Sequence, residues 1–273
     1  MSIDSWINKA SDKYQSEFRK AIHIILWSIA NSAYNNNLVL KGSILISIEH
    51  NSERKTKDID FSTSKTKEEF NISEFIHTLS NYILLSNEEL SYDIHCKLQS
   101  HKIKPSNEES TWPTLKIKVG YANTNKKNEI NQLRRGKSSK AVSIDCSLNE
   151  KVINVDLYDI GNSKQISVYS LNDIISEKIR ALIQQKERFK GTDYFRKQDV
   201  YDLYVLLNKY DILNKHEILS SLLIKSSARN MSIDKNTLDD EDIISKSKKG
   251  YDELQHEITV KLPPFEEAYN LIN

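Results

Sequence analysis

Apolar positions recur at helical spacing between residues 5 and 33 (Trp6, Ile7, Tyr14, Phe18, Ile22, Ile25, Leu26, Ile29) and predict one long amphipathic helix, ended by Asn35-Asn36-Asn37. Leu38 to Gly42 reads as a short buried strand closing at a glycine. Residues 43–49 read as a helix with Ser43 near its start, although their β-branched content leaves a strand open. After the polar loop 51–57, Asp58-Ile59-Asp60-Phe61-Ser62 alternates as a strand does. Residues 68–85 return to helical spacing, and further strands are predicted over 92–98, 115–121 and 141–148. From residue 170 the spacing is helical over 171–188, 197–209 and 214–227. An acidic stretch 234–253, Pro263-Pro264 and a short helix over 265–272 follow. The pattern predicts an α+β fold in two domains, a sheet-containing 1–165 and a helical 166–273.

Composition narrows the chemistry. Lys and Arg number 39 against 38 Asp and Glu, so a net charge of +1 gives no global field toward or away from nucleic acid. The six glycines (42, 120, 136, 161, 191, 250) never fall within five residues of each other, which excludes a P-loop and a G-x-G-x-x-G turn. Cys96 and Cys146 make no CxxC, and the seven histidines make no HExxH or zinc-type spacing. The first residues lack a signal-peptide layout, and the longest apolar run, 21–30, is half the ~20 residues of a membrane span. A cytoplasmic protein without membrane association is expected.

Asp58 and Asp60, two apart on a strand, point to one face ~6.6 Å apart, with Ile59 and Phe61 on the other. Two ionised acids so placed repel and favour a cation between them, and Mg²⁺ accepts a few carboxylates together with phosphate oxygens. A solvated strand face is the alternative. Gly42-Ser43 at a strand-to-helix junction can bring backbone N–H groups close to a phosphate, or Ser43 can simply cap the helix. In Ser143-Ile144-Asp145-Cys146-Ser147, Asp145 shares the polar face with the serines and can supply a third carboxylate to a two-metal site.

On helix 171–188 the stripe Leu171, Ile174, Ile175, Ile179, Leu182 has Lys178 in its middle, a lysine that needs an anionic partner or must snorkel out. Arg180 points away from that stripe. On helix 197–209, Asp199 falls ~60° from the apolar centre and Asp202 ~120° away, nearer solvent. Asp202 is then expected to hold Arg or Lys neighbours in place, and Ser170 with Asp173 forms a capping-box-like start. Lys41, Arg54 and Lys57 are candidate phosphate contacts or solvated charges. The basic runs 126–140 and 178–197 are candidate tracks for a nucleic-acid backbone or ordinary surface.

Leu40-Lys41-Gly42-Ser43 followed by Arg54-Lys-Thr-Lys-Asp58-Ile-Asp60-Phe61 resembles the polymerase-β-like nucleotidyltransferases, and more closely the AbiEii/AbiGii-type toxin family, whose pattern is roughly hKG[GS] and R-x-[ST]-x-D-I-D-F. Val168-Tyr-Ser-Leu-Asn-Asp-Ile-Ile-Ser-Glu-Lys178-Ile-Arg-Ala-Leu182 and Arg196-Lys-Gln-Asp199-Val-Tyr-Asp202-Leu203 are similar to later stretches of the same family, so the likeness runs from about 38 to 207. Gln198 stands where many relatives have arginine.

The resemblance implies a mixed nucleotidyltransferase sheet flanked by helices, then a helical bundle closing an active-site cleft. It implies nucleoside monophosphate transfer from an NTP, with Mg²⁺ (or Mn²⁺), to an acceptor hydroxyl such as a tRNA 3′ end, with growth arrest and a cognate antitoxin. Asp58, Asp60 and Asp145 would be catalytic and metal-binding. Gly42, Ser43, Lys41, Arg54 and Lys178 would bind nucleotide, and Lys178 and Asp199 would be further catalytic residues. An inactive nucleotide- or nucleic-acid-binding module, or a transferase that modifies proteins, are the alternatives.

Overall fold

The computed structural model describes residues 1–105, 110–188, 195–210 and 212–273. They divide into two compact units, one of residues 1–49 and 57–168, the other of 50–56 and 169–273.

The first unit opens with α1 (Ile3–Asn8) and α2 (Lys13–Ala30) rather than one long helix. Asp12 explains the break. Its extended backbone and side chain, accepting from the Gln15 N–H at 2.8 Å, start a new helix after Ser11. Then come β1 (Val39–Lys41), α3 (Gly42–His50), β2 (Asp58–Ser62) and α4 (Ile72–Leu90). The hairpin of β3 (Ile94–Lys104) and β4 (Thr114–Asn123) follows, then α5 (Lys127–Arg134), β5 (Ala141–Ser147), β6 (Val155–Asp159) and β7 (Gln165–Tyr169).

The alternation of residues 58–62 and 141–147 does become strand, with Ile59, Phe61, Ile144 and Cys146 fully buried. Two further strands, β6 and β7, were not expected: β6 buries one residue in five, whereas β7 buries four of five. The basic run 126–140 is partly helical, and Lys140 within it is held by Glu17 (2.8 Å) and Glu129 (3.0 Å).

The seven strands form one mixed sheet in the order β3-β4-β5-β2-β1-β7-β6. β2 runs antiparallel to β1 and parallel to β5, and β7 runs parallel to β1. Ile22, Ile25 and Leu26 of α2 and Phe75, Leu79 and Ile83 of α4 are buried in the core with the apolar strand residues. Each buried side chain of that size contributes about 1.5–3 kcal/mol.

The second unit contains α6 (Leu171–Arg188), α7 (Lys197–Lys209), α8 (Lys215–Ala228), α9 (Glu241–Lys248) and α10 (Phe265–Asn270). Helix α6 packs against α7, α8 and α9. It is therefore buried around much of its circumference, and Arg180, expected to face away from the core, is as buried as Lys178. A fork of hydrogen bonds to the Glu177 carboxylate (3.0 and 2.7 Å) neutralises it, and the Gln184 side-chain oxygen accepts one more at 2.6 Å. The acidic stretch 234–253 is ordered in short helical pieces. Asp240 caps α9 by accepting from the N–H groups of Asp242 (3.0 Å) and Ile243 (3.4 Å). Of the basic run 178–197, Lys190 and Asp193 lie outside the described residues. No described helix is long and apolar enough to cross a membrane.

Candidate active site

Three chain segments supply the polar side of the first unit's sheet. Gly42 ends β1 with φ +75°, a conformation that glycine adopts without steric cost. It also sits against Asp60: a Cβ built on Gly42 would overlap that carboxylate and lie 3.0 Å from the Asp60 Cβ and Cγ. The lost methyl is what lets the aspartate lie along the turn into α3. Behind the turn, Ile44, Leu45, Ile46 and Ile48 are buried and fix the helix.

The parallel pairing of β2 and β5 sets Asp60 opposite Asp145 and Asp58 opposite Ser143, and β1 sets Lys41 opposite Asp60. Residues directly opposite project to the same face. Asp58, Asp60, Asp145 and the Gly42-Ser43 turn are thus neighbours on the sheet.

 Asp145 follows Asp60 by 85 residues, so only the sheet brings the two carboxylates together.

The electrostatics follow from that pairing. Burial, then the charge of Asp145, raises the Asp58 carboxyl above its usual range, against a hydrogen bond from Ser143 and the charges of Lys116 and Lys57. Lys116 of β4, opposite Asp145, forms an ion pair with it. Sequence reasoning missed Lys116. Alternation in 115–121 puts it on the polar face, but nothing local says that β4 lies beside β5.

Among the described residues, no group of three or more His, Cys, Asp or Glu side chains could hold a metal ion as they stand. The three acids are therefore not a closed cage. Their chemistry nonetheless suits a divalent cation: burial and the charge of Asp145 raise the Asp58 carboxyl, and Mg²⁺ takes one or two carboxylates with the rest of its shell from substrate phosphate and water.

The other candidate residues lie in the second unit and form a cluster of their own. Lys178 donates to Asp199 at 2.7 Å and to Asp202 at 2.8 Å, and Arg54 grips Asp202 with two bonds of 2.9 and 2.8 Å. Glu257 lies 3.7 Å from Arg54, and Arg196 lies 3.5 Å from Asp199. The helical-wheel expectation for α7 is reversed here. The Asp202 side chain is 1% exposed and that of Asp199 12%, so Asp202 is the inner acid and Asp199 the edge. A wheel centred on the apolar residues overlooks the second pole of burial created by two cations.

Burial alone would raise the Asp202 carboxyl, but Arg54 and Lys178 outweigh it and hold the group well below the usual carboxylate range. Lys178 is held above its ordinary value by Asp199 and Asp202 against desolvation and the Arg54 charge. A second buried pair was not expected. Lys225 of α8, 3% exposed, lies 3.2 Å from Asp173 and 4.4 Å above the Tyr169 ring, while the Ser170 hydroxyl accepts from the Asp173 N–H at 3.2 Å. Asp173 is thus more than a helix-start residue.

Among curated proteins, none matches the chain by sequence. Solved structures share its fold, two of them at 14% identity. JHP933 from Helicobacter pylori has a TM-score of 0.54 over 97% of this chain and 90% of its own. A candidate nucleotidyltransferase of H. pylori has a TM-score of 0.52 over 93% and 89%. The model of the family described as nucleotidyl transferase AbiEii toxin, type IV toxin–antitoxin system, matches residues 24–271. That match takes in both units and nearly the whole chain, and this protein belongs to the AbiEii nucleotidyltransferase toxin family.

Proposed function

We propose that this chain transfers a nucleoside monophosphate from an NTP to the hydroxyl of an RNA acceptor, a tRNA 3′ end, and arrests growth until a cognate antitoxin opposes it. The observation that carries the reading is the cross-strand pair Asp60 and Asp145 beside the Gly42 turn, with Asp58 one pleat along. Family membership supplies the reaction class.

Asp58, Asp60 and Asp145 would hold Mg²⁺ or Mn²⁺. A divalent cation bound by such acids offsets the negative charge of a triphosphate and lowers the barrier to displacement at phosphorus. The chain's own residues do the rest. The Gly42-Ser43 turn at the start of α3 offers backbone N–H groups to phosphate oxygens, with the Asp60 carboxylate packed against Gly42. Asp145 accepts a proton from the acceptor hydroxyl, and Lys116 beside it moderates its charge. Lys178, Asp199, Asp202 and Arg54 act as a positioning frame for α6, α7 and the segment 50–56, because their charges are spent on each other.

The test is incubation of the purified protein with each radiolabelled NTP, Mg²⁺ and total RNA. Label on RNA is expected, and Asp60→Asn or Asp145→Asn should lower it at least ~100-fold, since each removes a charge from the reacting centre. Label on protein and not RNA would replace the acceptor class. NTP binding without transfer by the wild type would reduce the protein to a binding module.

A further inference from the structure

The row of paired residues that contains Asp60 and Asp145 continues past them. Lys116 stands opposite Asp145 in β5 and opposite Lys102 in β3, so the row reads Lys102, Lys116, Asp145, Asp60, Lys41 across five strands. In the neighbouring rows Lys118 faces Ser143 and Ser100, and Lys104 faces Thr114. The other side of β4 is core, with Leu115, Ile117 and Val119 buried. The polar side of the β3–β4 hairpin is therefore a lysine face that ends on the candidate acids.

Lys102, Lys104 and Lys118 are exposed, and among the described residues they form no ion pair. In the basic segment 126–140, Lys126 and Lys140 are taken by Glu129 and Glu17 while Lys127, Arg134, Arg135 and Lys137 are exposed as well, so what sets the hairpin lysines apart is the strand register that leads from them to Asp145 and Asp60. Neighbouring strands lie ~4.8 Å apart and alternate residues ~6.6 Å apart, so the cations form a regular two-dimensional array. A regular array of exposed cations suits a regularly charged polyanion better than a single anion.

We infer that the β3–β4 lysine face is the surface on which the RNA acceptor's phosphate backbone lies as its 3′ end approaches Asp60 and Asp145. This rests on the nucleotidyl-transfer reading above and adds the surface to it. The acids themselves repel RNA, so an attractive flank is what brings a polyanion to them. The outward residues Ser100, Lys102, Lys104, Lys116 and Lys118 include no aromatic ring on which a base could stack. Binding here is electrostatic, little dependent on sequence, and steeply salt-dependent.

The experiment measures binding of a fluorescein-labelled single-stranded RNA and of a tRNA transcript by anisotropy across a salt series, without NTP or Mg²⁺. The variants are Lys102→Gln/Lys104→Gln/Lys118→Gln, the matching Lys→Arg triple, and a control, Lys127→Gln/Arg135→Gln/Lys137→Gln. Loss of three phosphate contacts should weaken binding at least ~10-fold and flatten the log–log salt slope by about 2, with the Arg triple retaining both. The exposed positions should leave the thermal midpoint unchanged. An unchanged slope, or an equal loss in the control, overturns the inference. Equal binding of polyglutamate, lost in the same triple, overturns RNA in favour of an acidic protein partner. RNA held by this face without nucleotide transfer sinks only the reaction, and transfer with unchanged KM in the triple variant sinks only the surface.

Discussion

Gly42 combines two requirements that no other residue meets: a φ of +75° and a Cα in contact with the Asp60 carboxylate. In Gly42→Ala the backbone strain costs about 1–3 kcal/mol, and the new methyl must push Asp60 aside. Urea unfolding should show a folded but weakened protein, and the RNA-labelling assay a loss of transfer larger than the loss of stability explains. A variant with wild-type transfer would detach the turn from the site. Asp202 is the opposite kind of residue, since its carboxylate works through burial. Asp202→Asn leaves Arg54 and Lys178 with half their counter-charge and should destabilise by about 3–5 kcal/mol. Asp199→Asn, at the edge of the cluster, should cost less in the same unfolding titration.

At the scale of elements, periodicity was informative where one face is buried and misleading where burial has more than one direction. Strands β2 and β5 alternate cleanly, and their polar positions are the candidate acids. Helix α6 has three neighbours, so its stripe describes one contact of several. The start of α2 shows the weight of a single cap. The apolar spacing steps from Ile7 to Tyr14 across residues 9–12, yet Asp12 divides the pattern, and Asp12→Ala should lower stability by about 1 kcal/mol in chemical denaturation. A helix running unbroken from 5 to 33 in that variant would be seen as added far-UV ellipticity.

For the whole molecule, pH is the accessible probe. His50 is buried, its Nδ1 lies 2.7 Å from the Tyr210 hydroxyl, and burial with the nearby Lys209 charge lowers its pKa to about 4. In the unfolded chain it titrates near 6.5. Between those values the unfolded state binds more protons. The stability contributed by neutral His50 is therefore complete above about pH 6.5 and lost as pH falls toward 4, by up to about 3 kcal/mol. Unfolding free energies measured from pH 7 to 4.5 should fall more steeply for wild type than for His50→Gln. Parallel curves would mean His50 is hydrated. His50 also belongs, with residues 51–56, to the second unit, while the chain on either side of that segment belongs to the first.

The sequence by itself determined which residues are strand or helix over most of the chain, that Asp58 and Asp60 share a face, and that Gly42 closes a strand. These are local consequences of side-chain alternation and of backbone freedom, and they need no knowledge of neighbours. Only the tertiary structure decided that β5 pairs with β2 so that Asp145 meets Asp60, that Lys116 and Lys102 extend the same row, and that Asp202 is the inner acid of α7. Periodicity states which way a side chain faces. What it faces is set by long-range pairing, whose energy lies in contacts between segments far apart in the chain.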